Sequence, residues 1–131
     1  LYSVPIAGGP AVKLNGSLVK GGDVSYNFEI SSNASRVVYL ADEDSDEVVE
    51  LYSDPVTGGS VDKLNRALPL NGKIDRFSIS SDNTHVVYKG DQDVFDENEL
   101  FGVWIQMEQP KDNGLCFPIK SSNNKIVIIC L

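Results

Sequence analysis

An all-β fold assembled from repeated four-stranded units is what this sequence predicts, on three observations. Leu1-Tyr2-Ser3-Val4-Pro5-Ile6-Ala7-Gly8-Gly9 returns fifty positions later as Leu51-Tyr52-Ser53-Asp54-Pro55-Val56-Thr57-Gly58-Gly59, and both copies run on to Lys-Leu-Asn, at 13–15 and 63–65. The block from Phe28 to Tyr39 is matched by Phe77 to Tyr88 at an offset of 49, sharing Phe-x-Ile-Ser-Ser at the front and Val-Val-Tyr at the end. Apolar residues alternate at period two, as in Val24, Tyr26, Phe28 and Ile30, and no stretch keeps a helical period. Self-similarity at this spacing marks stacked supersecondary units.

Each unit reads as strands A to D. Strand A lies near 23–31, and Ser32-Asn33-Ala34-Ser35 then supplies turn chemistry, repeated by Ser81-Asp82-Asn83-Thr84. Strand B, near 36–42, is β-branched and aromatic, and an acidic loop leads to strand C near 49–56. Gly58-Gly59 allows the positive φ of a tight hairpin before strand D near 60–65. The chain opens out of phase, with Leu1–Ile6 as a C strand and Ala11–Leu14 as a D strand, so 1–22 is half a unit. Residues 23–65 form a complete unit, and 74–105 give A, B and C, with Leu100–Ile105 repeating the Leu-Tyr-Ser block. The tail, 106–131, offers a faint A-B pair at about 115–119 and 125–131, after a segment, Met107–Gly114, without counterpart. That tail reads either as part of a blade or as unrelated sequence. Four-stranded units at a period of ~40–50 residues describe propeller blades. A β-sandwich also uses many short strands, but nothing in a sandwich calls for a repeat.

The chain of 131 residues is one ordinary domain in size, carries a net charge of −8 and has a sequence pI of about 4.4. Such a surface repels phosphate backbones, so no nucleic-acid partner is expected. No apolar run approaches the ~20 residues of a membrane span. Starting at Leu1 without a signal-like segment, the sequence reads as processed, trimmed or cut from something longer.

The acidic loops are the candidate chemistry. Asp42, Asp44 and Asp46 stand at i, i+2 and i+4, and Asp91 and Asp93 repeat the first two; Asp-x-Asp-x-Asp offers oxygen ligands to Ca²⁺. Glu47 and Ser53 occupy positions that an EF-hand gives to Gly and Glu, which excludes that motif. The bland alternative is a solvated loop, and its recurrence in both units favours a structural role over a single active site. No catalytic residues are expected: His85 is the sole histidine and falls where other units have Arg36 and Lys125. Asn15-Gly16-Ser17 and Asn33-Ala34-Ser35 match the glycosylation sequon. Cys116 and Cys130 flank the tail hairpin, nearly opposite if its turn centres on Ser122-Asn123, so a disulfide and two free thiols both stay open. Trp104 replaces Pro5 and Pro55 and reads as a core aromatic, with an interface anchor as the alternative.

The pattern Phe-x-Ile-Ser-x-(Asp/Asn)-x-x-x-Val-Val-Tyr, an acidic loop, Glu-Leu-Tyr-Ser-x-Pro-x-x-Gly-Gly and Lys-Leu-Asn resembles the TolB-type, WD-repeat-like propeller repeat. The resemblance covers about 1–105 well and 115–131 weakly, and the family's usual Ser-Pro-Asp-Gly turn is replaced by Ser-Ser-Asn-Ala and Ser-Ser-Asp-Asn. It implies a non-catalytic interaction or scaffold module, and an exported, periplasmic or extracellular bacterial protein. The alternatives are a fragment of a larger propeller that gates a peptidase-like hydrolase, and a Ca²⁺- or glycan-binding propeller. About three blades per chain are too few to close a ring, so self-association is expected, as a dimer or trimer completing about six blades.

Overall fold

The structure, a computed structural model, describes residues 1–105 together with the backbone of 116–120 and 126–130. It divides into two compact units, 1–66 and 67–131. All regular structure among the described residues is antiparallel β, with no helix.

In the first unit, β1 (Tyr2–Ser3) and β2 (Val12–Lys13) form a two-stranded sheet. Next, β3 (Val24–Ile30), β4 (Arg36–Ala41), β5 (Glu50–Pro55) and β6 (Asp62–Lys63) form a four-stranded meander in chain order. The register sets Phe28 opposite Tyr39 and Tyr39 opposite Tyr52, which lines these side chains up on one face. That face carries the core: Val37, Tyr39, Ala41 and Tyr52 cluster with Leu14 beyond β2, and Leu1, Val12, Val24, Val56 and Val61 pack around them. The β1–β2 hairpin therefore lies face-on against the four-stranded sheet. Ser3 fixes it there, its hydroxyl donating to the Val56 carbonyl at 2.6 Å. Alternate residues of β4 and β5, Val38, Leu40 and Leu51, are also buried, as a sheet with two apolar faces requires.

Among the described residues, the second unit repeats three of the four strands in one sheet. Its β7 (Ile74–Ile79), β8 (His85–Gly90) and β9 (Glu99–Trp104) set Phe77 opposite Tyr88 and Tyr88 opposite Phe101. Ile74, Val86, Tyr88, Phe101 and Ile105 are buried. The backbone of β10 (Cys116–Lys120) and β11 (Ile126–Cys130) forms a separate hairpin. Its register pairs Cys116 with Cys130 and Pro118 with Ile128. In the two upstream units the Phe-x-Ile strand sets Phe opposite Tyr, so the tail hairpin is slipped by one residue from the register its sequence match implies. The segment 107–114 and the state of the two thiols lie outside the described residues.

Both A–B turns are built alike. Asn33 Oδ1 accepts from the Ser31 and Ser35 hydroxyls and the Ser35 amide, and Asp82 Oδ1 accepts from Ser80, Thr84 and the Thr84 amide. Ala34 and Asn83 take the same left-handed conformation, at φ 54° and 60°. Those donors hold the Asp82 carboxyl down at about 2. Side-chain hydrogen bonding thus shapes two turns that contain neither Pro nor Gly. The D strands, β2 and β6, are only two residues long, shorter than the apolar pattern suggests.

Candidate functional site

Burial first decides what the acidic loops do. Asp42 is buried, and its carboxylate turns back on the chain, accepting from the amides of Asp23 and, at 3.0 Å, Glu47. This lets Glu47 sit at φ 63° and closes the loop. Glu43 is buried too; its Oε1 accepts from the Tyr39 hydroxyl at 2.9 Å and from the Gly16 amide at 3.0 Å. Burial, followed by the Glu43 charge, drives the Tyr39 hydroxyl well above its ordinary pKa. Lys63 bridges Asp44 at 3.0 Å and Glu50 at 2.5 Å. Burial pulls its ammonium down, but the hydrogen bonds to Glu50 and Asp44 outweigh that and raise it.

These carboxylates do not assemble a cation site. Asp44 is drawn to Lys63, Asp42 to backbone amides, and Asp46 stands against Gly21, where an added Cβ would meet its Oδ2 at 2.6 Å. In the second unit Asp91 is buried, and the Asp93 amide donates to Glu99 at 3.3 Å. Among the described residues no group of three His, Cys, Asp or Glu side chains is placed to hold a metal ion.

Two structural devices lie behind the repeat and were not anticipated from it. Asn65 Oδ1 accepts the Leu51 amide at 2.7 Å, and Asn15 Oδ1 accepts the Leu1 nitrogen at 2.7 Å. Each Asn donates through Nδ2 to the carbonyl of the next residue, Arg66 or Gly16. The Asn of Lys-Leu-Asn is thus a clamp that ties the end of strand D to the start of strand C. Asn15 of the first sequon is buried and occupied in this way. The second device is Tyr39–Glu43, matched by Tyr88 donating to Gln92 at 2.6 Å. A Tyr followed four residues later by Glu in one unit and Gln in the other, both acceptors, was the available signal.

His85 and Trp104 lie against each other at a tilt, with ring centroids 3.7 Å apart and planes 40° apart. Trp104 is 40% exposed, so the expectation of a core aromatic is corrected: it lies against the half-buried His85 on the next strand and not in the core. Arg36, at the position matching His85, instead reaches Ser53 at 2.9 Å and Asp62 at 2.5 Å.

What the first unit leaves open is apolar. Tyr26 is fully exposed, and Phe28 and Ile30 are 51% and 53% exposed, on the same β3 strand. Tyr2, on β1, is 65% exposed. Of the apolar residues of β3, Val24 packs against the core cluster, whereas Tyr26, Phe28 and Ile30 do not belong to it. This stripe is the candidate interaction surface.

No protein family, curated protein or solved structure matches this chain.

Proposed function

We propose that this chain is a non-catalytic, self-assembling β-propeller module that serves as an interaction scaffold. The single observation that carries the reading is the face-on packing of β1–β2 against the next repeat unit. Leu1, Val12 and Leu14 meet Val37, Tyr39, Ala41 and Tyr52, as successive blades would. The exposed stripe Tyr26–Phe28–Ile30 supports self-assembly, because it is apolar surface on a repeat unit. The TolB-type sequence pattern supports blades over a sandwich. The acidic loops support a structural function, since their carboxylates hold backbone amides, a tyrosine and a lysine.

Native mass in solution tests this. Static light scattering on the full chain is expected to give a discrete multiple of the 14.3 kDa protomer. A stable monomer across the micromolar range overturns self-assembly.

A further inference from the structure

We propose that Asn33 is an N-glycosylation acceptor, taking an oligosaccharide from a lipid-linked pyrophosphate donor, and that Asn15, in the other sequon, is not. The assignment is independent of the self-assembly reading above.

The first argument is place. Asn33 lies at the tip of the β3–β4 hairpin, in a turn closed by the Ala34 amide on the Ser31 carbonyl at 2.7 Å. Ser32, Asn33, Ala34 and Ser35 are all exposed. Ser32 and Ala34 are small, and the Arg36 guanidinium is held by Ser53 and Asp62. A glycan is bulky and requires a surface turn of this kind.

A second argument comes from the orientation of the amide. The Ser35 N–H meets one atom of the Asn33 amide at 3.1 Å, and since a backbone amide only donates, that atom is the oxygen. The Ser31 and Ser35 hydroxyls donate to the same Oδ1, each at 2.7 Å. With the side chain's bonds gathered on Oδ1, Nδ2 is held on the other branch of the planar amide, away from these donors. Asn15 differs in both respects. It is buried, and its Nδ2 donates to the Gly16 carbonyl at 3.0 Å, inside the clamp of strand D.

The third is an internal comparison. In the second unit Asp82 holds the same turn, accepting from Ser80 at 2.5 Å, the Thr84 hydroxyl at 2.8 Å and the Thr84 amide at 3.0 Å. A carboxylate therefore does everything the turn asks of this position, through one oxygen. The fold uses Oδ1 of Asn33 and has no structural use for Nδ2. In the transfer, Nδ2 attacks the anomeric carbon of the donor sugar and a C–N bond forms. The C–O bond to phosphate breaks, the lipid pyrophosphate leaves with that electron pair, and the proton lost from Nδ2 passes to a carboxylate of the transferase.

The folded full-length chain is incubated with a lipid-linked oligosaccharide and an oligosaccharyltransferase that reads Asn-x-Ser/Thr. Synthetic peptides covering 8–22 and 26–40 serve as unfolded acceptors. A single glycan on the folded chain, mapped to Asn33 by mass spectrometry, is expected, with both peptides modified. Asn33→Asp, which installs the residue of the second unit's turn, is expected to take no glycan and to keep the wild-type melting temperature. Ser35→Thr, matching Thr84, is expected to keep the reaction, and Ser35→Ala to abolish it. A glycan on Asn15 of the folded chain overturns the assignment. So does a folded chain left unmodified while the 26–40 peptide is glycosylated, and a 26–40 peptide that takes no glycan overturns the sequon itself.

Discussion

Asn65 is buried and makes hydrogen bonds with both ends of its amide, to Leu51 N–H at 2.7 Å and to the Arg66 carbonyl at 2.9 Å. Asn65→Ala leaves the Leu51 amide without its acceptor in a buried place. A loss of about 1–3 kcal/mol is expected, read from the midpoint of urea unfolding. Asp54 should behave in the opposite sense. It is buried, its Oδ1 has no hydrogen-bond partner, and the matching positions of the other units are Val4 and Val103. Burial raises its pKa, with Arg36 opposing. The folded state therefore keeps the proton to higher pH than the unfolded one, and stability falls as pH rises from about 4 through the folded value. Asp54→Val is expected to add about 1 kcal/mol or more at pH 7 and to remove that decline; thermal melts of both proteins from pH 3 to 8 check the sign.

Gly8 and Gly58 occupy the same hairpin position, with φ 86° and 81°, yet their surroundings differ. A Cβ on Gly8 meets nothing within 4 Å, whereas one on Gly58 lands 2.6 Å from Val12 Cγ1 on β2. Gly8→Ala should cost only the left-handed backbone strain, about 1–2 kcal/mol. Gly58→Ala should cost more, because the β1–β2 hairpin must give way; paired urea melts separate the two. Elements of this kind were largely legible, since strands A, B and C carry a period-two pattern and glycine marks the turns. The D strands were overread because the apolar signal of Val61 and Leu64 comes from packing beyond a two-residue ladder. The acidic loops were legible as loops but not in their chemistry. An Asp that accepts backbone amides, as Asp42 does, leaves the same sequence signal as one aimed at a cation. Trp104 was misplaced because its partner, His85, lies nineteen positions away across a hairpin, beyond any local pattern.

For the whole molecule, the proposed association makes a prediction about stability. Under the proposed self-assembly, a chain whose apolar stripe is shielded in the assembly gains stability by mass action, so its melting temperature is expected to depend on concentration. For a dimer, a tenfold rise in protein contributes about 0.7 kcal/mol per chain, which for a domain of this size moves the melting temperature by about 2–4 °C. Differential scanning calorimetry at two concentrations a factor of a hundred apart should therefore show roughly twice that shift. Phe28→Asp/Ile30→Asp should melt at a temperature that does not change with concentration. The substituted side chains are already about half exposed in the single chain, so their replacement removes the assembly term while disturbing the unit's core little. A concentration-independent wild type would mean that the stripe is shielded by nothing of its own kind.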